Sequence, residues 1–270
     1  MDTKPLDFAF ELVDRVWRVV KEAEGRPDAA DIVGFTDLDV TRRVDRVAED
    51  EAIKYVRRRG ISALLISEES PPLRIGSKPE IAIILDPLDG STNFVKGIPF
   101  SSISVALASP RNDEGVELLA GVVKDIIRGD VYYAEKGKGA YFNDSRLHRP
   151  ATGVTDSPLI ALYTYDDGER TALRTIRLNN HCTLRALGSM ALELCYLAAS
   201  KLDGIVDVRG RLRLQDIAAG KLILEEAGCV LTDEDGRSLN LKIGHRYSIV
   251  AADTRSRLDW LIGLLREDEG

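Results

Sequence analysis

Two short apolar runs limit the fold more than any other feature of the sequence. After Gly60 the chain reads ISALLIS and then EIAIILD, and neither run alternates between apolar and polar residues. Runs of this kind are typical of strands that are buried on both faces, in a sheet covered by helices. Glu68 and Glu69 follow the first run, and Asp86 ends the second. If the two strands are parallel neighbours, these carboxylates meet at one edge of the sheet.

The rest of the chain alternates between helical and strand-like patterns. Apolar spacing predicts amphipathic helices over residues 7–24 and 41–59, and we expect these helices to pack against each other. Residues 100–142 read as successive strands joined by polar turns, which predicts an antiparallel meander. The second half alternates strands with helices expected at about 168–178, 189–201 and 217–227, and it reads as a hairpin over 229–240.

The sequence contains no internal repeat, low-complexity tract or long linker. We therefore expect two lobes that pack directly together. The N-terminal α+β lobe is predicted over residues 1–150 and carries the first acidic motifs. The C-terminal α/β lobe is predicted over residues 151–270.

Composition and charge narrow the classes of partner. The 270 residues are 44% hydrophobic with a net charge of -7, which supplies a core but no general excess of positive charge for nucleic-acid phosphates. A membrane span needs about 20 apolar residues, and no uncharged run of the sequence is that long. The first residues include acidic side chains, whereas a signal peptide begins with positive charge. We expect a cytoplasmic protein that acts on small molecules, with neither nucleic acid nor membrane as partner. The scattered cysteines predict no disulfide framework and no zinc site; they are Cys182, Cys195 and Cys229.

The run DPLDGSTNF at residues 86–94 carries the clearest chemical signal. Two carboxylates, Asp86 and Asp89, stand on either side of Pro87 and Leu88, and Gly90 permits a sharp turn before a set of helix-capping residues. We expect the two carboxylates to converge on one side of a turn, with backbone N–H groups of the next helix facing the same point. Carboxylates that lie beside a site for a negatively charged group imply that cations bind between the two. A single turn of this composition is also ordinary loop punctuation, so it does not establish a metal site alone.

Two further acidic positions support a metal site. Glu68 or Glu69 would lie beside Asp86 if the two apolar strands are parallel. Asp216 precedes a predicted helix, where it is either a ligand or an ordinary N-cap. Carboxylates in this number suit Mg²⁺ or Mn²⁺ better than zinc, and Mg²⁺ commonly acts together with substrate phosphates.

Four motifs together resemble the inositol monophosphatase family: EES, DPLDGSTNF, LRALGSMALELCYLA and QDIAAGKLILEEAG. They occur in the family's order and spacing, over nearly the whole chain. VTRRVDRVAEDEA and DVRG are most similar to archaeal members, several of which also act as fructose-1,6-bisphosphatases. The resemblance implies the αβαβα sugar-phosphatase fold, with the active site between the two lobes. It further implies a homodimeric, Mg²⁺-dependent phosphomonoesterase that hydrolyses inositol 1-phosphate, fructose 1,6-bisphosphate or both through a metal-activated water.

The resemblance also implies a role for each acidic residue. The first metal would be held by Glu68, Asp86 and the Leu88 carbonyl, and the second by Asp86, Asp89 and Asp216. The Ser91 hydroxyl, at a position usually occupied by threonine, would bond Asp45 and help to activate the attacking water. Glu68 and Asp216 complete the catalytic set, with the leaving group protonated near Asp216. Other departures from the family pattern, Ser67, Gln215 and Cys229, remove no ligand.

Substrate contacts are implied at two places. Phosphate oxygens would meet the amides around Gly90, Ser91 and Thr92, next to Asp89. The sugar or inositol ring would meet Gly188 and Ser189, although a Gly-Ser pair is equally an ordinary helix start. Arg209 is either a ligand for a second phosphate or part of a surface ion pair. Residues 25–39 are hypothesised to form a mobile loop that supplies a third metal site.

Three other functions stay open at this point. A phosphatase with an aspartyl nucleophile has two aspartates one residue apart, whereas two residues separate Asp86 from Asp89. Within the family, a 3'-phosphoadenosine 5'-phosphate phosphatase is the nearer alternative. A catalytically silent homologue that only binds metal or ligand is the third, and the intact acid set argues against it.

Overall fold

Three β-sheets organise the computed structural model, which describes residues 4–35, 40–111, 115–148, 157–163, 175 and 177–266. The strands are β1 (Ile32–Phe35), β2 (Val40–Arg42), β3 (Ala63–Ser67), β4 (Leu73–Ile75), β5 (Ile81–Asp89), β6 (Ser102–Pro110), β7 (Val116–Asp125), β8 (Val131–Glu135), β9 (Ala140–Phe142), β10 (Ser145–Arg146), β11 (Leu159–Tyr163), β12 (Thr183–Arg185), β13 (Gly204–Leu212), β14 (Val230–Thr232) and β15 (Tyr247–Ala252). The named helices are α1 (Pro5–Ala23), α2 (Arg43–Arg58), α3 (Ser91–Lys96), α4 (Met190–Ala198), α5 (Leu214–Glu226) and α6 (Arg255–Arg266), with a short 3-10 turn at Pro27–Ala30.

The largest sheet contains both apolar runs of the sequence. Its strand order is β10-β9-β8-β7-β6-β5-β3-β4. β3 and β5 are parallel neighbours, with Ser67 opposite Leu85, and β6 to β10 form an antiparallel meander. The condition set for the two apolar runs is therefore met, and the predicted meander is confirmed. All but the last residue of β5 are buried, as expected for a strand that is covered on both faces.

Helices α1 and α2 cover one face of this sheet. Phe8, Leu12 and Val16 of α1 share a buried apolar cluster with Ala48 of α2 and Ile83 of β5. The helical spacing of these apolar residues places them on one stripe, which is why each helix is amphipathic.

Helices α4 and α5 lie between the largest sheet and the second sheet, whose order is β12-β11-β13-β15-β14. One apolar cluster joins Ala106 of β6, Leu194 of α4, Ile223 of α5 and Ile205 of β13. On the far side of the second sheet, Leu258 and other residues of α6 pack on β13 and β15. The layers therefore follow the order α, β, α, β, α, and the expected fold class is confirmed.

Several local expectations were wrong or lie beyond the described residues. Helix α5 begins at Leu214, so Asp216 lies inside its first turn rather than before it. The hairpin expected over 229–240 does not form, because β14 pairs with β15 instead. The helix expected at 168–178 falls mostly on residues outside the description, and so does the proposed lobe boundary near residue 150. None of the described helices has the length and apolar character needed to cross a bilayer.

Candidate active site

A β-bulge turns two carboxylates of β5 toward the same face of the sheet. Asp86 pairs with Ser104 of β6 and Asp89 pairs with Ser102, so a step of three residues on β5 matches a step of two on β6. In a regular strand, side chains three positions apart point to opposite faces, and the extra residue restores a common face. Pro87, which has no N–H to donate, falls inside the bulge. The convergence predicted from a turn is therefore produced by a bulge.

The parallel pairing of β3 with β5 brings a third carboxylate to the same edge. Glu68 follows directly after β3, and Asp216 enters from the first turn of α5. One carboxylate oxygen from each of Glu68, Asp86 and Asp216 lies within 4.8 Å of the other two. Three hard oxygen donors so close together form a set that fits a divalent cation such as Mg²⁺ or Mn²⁺.

The first turn of α5 holds Asp216 in place. The backbone N–H of Arg213, the N-cap residue, donates to Asp216 Oδ2 at 2.7 Å. The Arg213 guanidinium also donates to Glu68 Oε1 at 2.6 Å, so it links two carboxylates of the cluster. Helix α2 repeats the first of these contacts, since the Arg42 backbone N–H donates to Asp45 Oδ2 at 2.8 Å.

The carboxylates share a site in which their negative charges are poorly solvated. Burial and then the charge of Asp216 raise the pKa of Glu68 well above its usual range. Burial and the charge of Glu68 do the same for the pKa of Asp86. Burial also raises the pKa of Asp89 to about 7 and that of Asp216 to about 6. A cation bound among these groups would relieve both the desolvation and the mutual repulsion.

Asp89 is held by the loop and helix of the second half of the chain. Its Oδ2 accepts hydrogen bonds from Ser189 Oγ at 2.7 Å and from the Ala191 backbone N–H at 2.8 Å. Ser189 is fully buried and also bonds Ser102 of β6 at 3.0 Å. The start of α4 is thus tied to the acidic edge of the largest sheet.

A cavity of about 480 Å³ opens over the acidic cluster. Most of the residues proposed from sequence line it: Glu68, Asp86, Leu88, Asp89, Gly90, Ser91, Thr92, Gly188, Arg209 and Asp216. Ser189 lies buried beneath it, and Asp45 is buried in α2. The predicted hydrogen bond between Ser91 and Asp45 stays a prediction.

Gly90 makes the turn between β5 and α3 possible. Its φ of +87° lies in the left-handed region, and a Cβ there would stand 2.9 Å from the Gly188 carbonyl oxygen. Only glycine fits such a conformation together with such a close approach. With glycine at position 90, the turn can approach the Gly188 carbonyl and place Ser91 and Thr92 at the cavity wall.

Arg209 was expected either to bind a second phosphate or to belong to a surface ion pair, and the structure shows its partners. Its Nε and Nη2 donate to Asp207 at 2.9 and 2.6 Å, and the guanidinium lies 5.0 Å from the centre of the Tyr163 ring. Asp207 is fully buried, so this bidentate pair balances the positive charge of Arg209 inside the protein. Arg209 lines the cavity with that charge already paired, and its role toward a second phosphate stays a prediction.

Sequence reasoning missed two residues that hold the wall of the cavity. Glu193 of α4 is fully buried and accepts the Leu187 backbone N–H at 2.8 Å. Burial raises the pKa of Glu193 to about 8. The second residue is Tyr163, whose hydroxyl accepts the Gly188 backbone N–H at 2.9 Å. Glu193 is the only charged residue within MALELCYLA, and this was a signal that could have pointed to it. No comparable signal in the sequence marks Tyr163.

Comparisons with known proteins show which proteins the chain is similar to. The family model described as the inositol monophosphatase family matches residues 2–269. The fructose-1,6-bisphosphatase/inositol-1-monophosphatase of Methanothermobacter thermautotrophicus is 37% identical over 254 residues, covering 90% of this chain and 90% of the relative. The bifunctional NADP phosphatase/NAD kinase of Methanococcus maripaludis is 38% identical over 268 residues, covering 92% of this chain and 47% of that protein. The crystal structure of the extragenic suppressor protein SuhB of Bartonella henselae has a TM-score of 0.85 at 27% identity and covers 97% of this chain and 98% of its own.

Proposed function

Because the chain belongs to the inositol monophosphatase family, we propose that it is a Mg²⁺-dependent phosphomonoesterase, with Mn²⁺ as a substitute, that hydrolyses inositol 1-phosphate, fructose 1,6-bisphosphate or both. The observation that carries the proposal is the convergence of Glu68, Asp86 and Asp216 within 4.8 Å at the floor of the cavity. Three carboxylates packed this closely are costly unless a cation joins them.

The carboxylates of the cavity are assigned to two metal positions. Glu68, Asp86 and the Leu88 carbonyl would hold one cation, and Asp86, Asp89 and Asp216 would hold the other. When bound, such cations supply a water of lowered pKa and stabilise charge on the phosphoryl group and the leaving oxygen. Hydrogen bonds from the protein orient these carboxylates beforehand, as the Ser189 and Ala191 contacts to Asp89 illustrate.

The remaining residues position the substrate and the attacking water. Ser91 and Asp45 would orient that water, and the backbone N–H groups around Gly90 and Thr92 would bind oxygens of the phosphate. The sugar or inositol ring would then lie against the wall that Gly188 and its neighbours form. No side chain of this chain needs to act as a nucleophile.

Release of inorganic phosphate tests the proposal. Inositol 1-phosphate and fructose 1,6-bisphosphate should each be assayed with Mg²⁺, with Mn²⁺ and with a chelator. We expect turnover of at least one of the two sugar substrates with either cation and none with the chelator. No turnover under any condition would contradict the proposal and favour the catalytically silent homologue.

A nucleotide substrate is the second candidate. It is favoured by the 38% identity to the Methanococcus maripaludis protein whose name includes NADP phosphatase. The same assay should therefore include NADP⁺ and 3'-phosphoadenosine 5'-phosphate. Turnover of a nucleotide without turnover of either sugar phosphate would replace the main proposal with this one.

Three further properties belong to the proposal. We expect a homodimer, which the molar mass from light scattering after size exclusion would check. The hypothesis of a third metal site in residues 25–39 predicts increased hydrogen-exchange protection there when Mg²⁺ and phosphate are added together. A cytoplasmic location is expected, and fractionation of the source cells would check it.

A further inference from the structure

Arg42 is an unusual residue to find at the start of a helix. It is the N-cap of α2, a position that favours Ser, Thr, Asp or Asn because their side chains accept backbone N–H groups. An arginine side chain has only donors, and its positive charge is unfavourable beside the positive end of the helix dipole. The contact that supports the helix comes from its backbone N–H, which donates to Asp45. Helix stability therefore does not explain the guanidinium.

Among the residues that the structure describes, the Arg42 guanidinium also lacks the carboxylate partners that its neighbours have. Arg43 pairs with Asp31 at 3.0 Å and Arg46 pairs with Glu49 at 3.3 Å. Within the part of the chain that the structure describes, Arg42 forms no ion pair, and its Nε is buried without a hydrogen-bond partner. Its Nη2 lies 3.5 Å from Thr92 Oγ1, a long contact for a hydrogen bond.

Thr92 belongs to the candidate active site. It lines the cavity, in the turn that begins with Gly90. Two other arginines of the cavity region are already paired with carboxylates, Arg213 with Glu68 and Arg209 with Asp207. Among the described residues, Arg42 is thus a cation without a carboxylate partner, held next to the turn proposed for phosphate.

We propose that Arg42 binds a non-bridging oxygen of the phosphate group that undergoes hydrolysis. The inference rests on the proposed phosphatase function. A guanidinium offers two parallel N–H donors, which match the spacing of phosphate oxygens, and its Nε and Nη2 both lack a strong acceptor among the residues that the structure describes. We take this contact to be made equally in the ground state and in the transition state, as for a residue that holds the phosphate in place. Such uniform binding lowers KM and leaves kcat nearly unchanged.

The variant Arg42→Thr separates this role from a structural one. Threonine is a good N-cap, so the melting temperature should stay the same or rise. Loss of a charged hydrogen bond should raise the KM for inositol 1-phosphate by on the order of 10- to 100-fold, with little change in kcat. Inhibition by inorganic phosphate should weaken by a similar factor. Arg42→Lys keeps the charge but loses the paired donors, and we expect it to give an intermediate KM.

Arg43→Thr is the matched control, because it makes the same substitution one position along at an exposed residue that pairs with Asp31. We expect its KM to equal that of the wild type. An equal rise in KM in both variants would show a general loss of charge and overturn the proposal. An unchanged KM in Arg42→Thr would also overturn it, and so would a fall in the melting temperature of this variant with a parallel loss of kcat. A rise in KM seen only with fructose 1,6-bisphosphate would indicate that Arg42 binds a second phosphate, and this too would overturn the proposal.

Binding of inorganic phosphate keeps this test independent of turnover. Calorimetry with Mg²⁺ present should show weaker phosphate binding by Arg42→Thr than by the wild type and Arg43→Thr. If the wild type binds phosphate through Arg42 but hydrolyses none of the substrates, the proposed function fails and the assignment of Arg42 stands. If turnover is normal and phosphate affinity is the same in all three proteins, the assignment of Arg42 fails alone.

Discussion

At the scale of single residues, the protein anchors one oxygen of each central aspartate with its own backbone. Asp86 Oδ1 accepts the Leu88 N–H at 3.0 Å, Asp216 Oδ2 accepts the Arg213 N–H, and Asp89 Oδ2 accepts the Ala191 N–H. Each anchor fixes the rotation of the carboxylate and leaves its other oxygen for a ligand. Such preorganisation is what a metal site requires from its supporting groups.

Asp89→Asn should abolish turnover without unfolding the protein. The amide oxygen of asparagine can still accept the hydrogen bonds from Ser189 and Ala191, but the negative charge is lost. We expect kcat to fall by at least about 100-fold, because disturbing only the supporting groups of a metal ligand already costs up to about this factor. Phosphate release and thermal melting check the prediction, with the exposed Asp144→Asn as control. Near-normal turnover of purified Asp89→Asn would remove Asp89 from the ligand set.

Gly90→Ala should destabilise the protein more than the same change at another glycine with positive φ. The new methyl group would meet the Gly188 carbonyl oxygen at 2.9 Å, in addition to the cost of the left-handed backbone. We expect a loss of roughly 2 kcal/mol or more in unfolding free energy, together with a loss of activity. Gly60→Ala is the control, since its φ is +64° and no atom of the described residues would lie within 4 Å of a Cβ at that position. Equal losses in urea denaturation would show that the contact with Gly188 does not matter.

At the scale of elements, α5 decides how closely the layers approach. A Cβ on Gly220 would stand 2.8 Å from Leu194 Cβ of α4, and one on Gly121 of β7 would stand 3.1 Å from Ala219. Small residues on both sides of α5 thus allow the helix to lie between α4 and the largest sheet. Because Asp216 is in the first turn of α5, this packing also sets the position of a proposed metal ligand.

Gly220→Ala should destabilise the protein although alanine is the better helix former. Helix propensity alone favours alanine by about 1 kcal/mol, whereas overpacking against Leu194 costs about 1 to 3 kcal/mol. Gly263→Ala in α6 is the control, because a Cβ there would have no neighbour within 4 Å in the described part of the chain. We expect chemical denaturation to show a less stable Gly220→Ala and a Gly263→Ala that is as stable as the wild type or more so. A stabilised Gly220→Ala would contradict the close packing of α4 and α5.

At the scale of the whole molecule, the candidate site lies where three layers meet. The largest sheet contributes Asp86 and Asp89, the helix layer contributes Asp216, and the second sheet contributes Tyr163 and Arg209. The apolar cluster around α4 and α5 includes residues from both sides of position 150. The site therefore depends on how the layers stack, and no single element contains it.

The stability of the metal-free protein should fall as the pH rises from about 4 to 7. The folded state raises the pKa of Asp89 from an ordinary 3.8 to about 7 and that of Asp216 from 3.8 to about 6. Between the unfolded and folded values the folded protein binds more protons than the unfolded chain, so raising the pH through this window favours unfolding. Thermal melting with a chelator at a series of pH values checks the sign.

Added Mg²⁺ should change this pH dependence. Protons compete with the cation for the same carboxylates, so Mg²⁺ should raise the melting temperature more at pH 8 than at pH 5. Asp89→Asn lacks one of the titrating groups and should show a shallower pH dependence without metal. An equal rise in melting temperature at both pH values would place Mg²⁺ binding elsewhere.

Much of the architecture could be predicted from local pattern. The apolar runs before Glu68 and Asp86 predicted strands buried on both faces, which the structure pairs in parallel, and the meander over residues 100–142 was recognisable from its turns. The prediction of a hairpin over 229–240 was wrong, because β14 pairs with β15. These strands are too far apart in the sequence for a turn motif to reveal their pairing. Residue type and the family motifs also predicted the acids that line the cavity, which are Glu68 after β3, Asp86 and Asp89 in β5 and Asp216 in α5.

The sequence by itself therefore determined the family, the buried strands with the meander that follows them and the acids of the cavity, since each depends on local pattern and residue type. The tertiary structure decided the rest. It showed that a bulge aligns Asp86 with Asp89, that Asp207 neutralises Arg209, and that Arg42 stands beside Thr92. Arg42 and Thr92 are 50 positions apart. Contacts of this kind depend on strand register and on the stacking of layers, and no periodicity within a short segment contains that information.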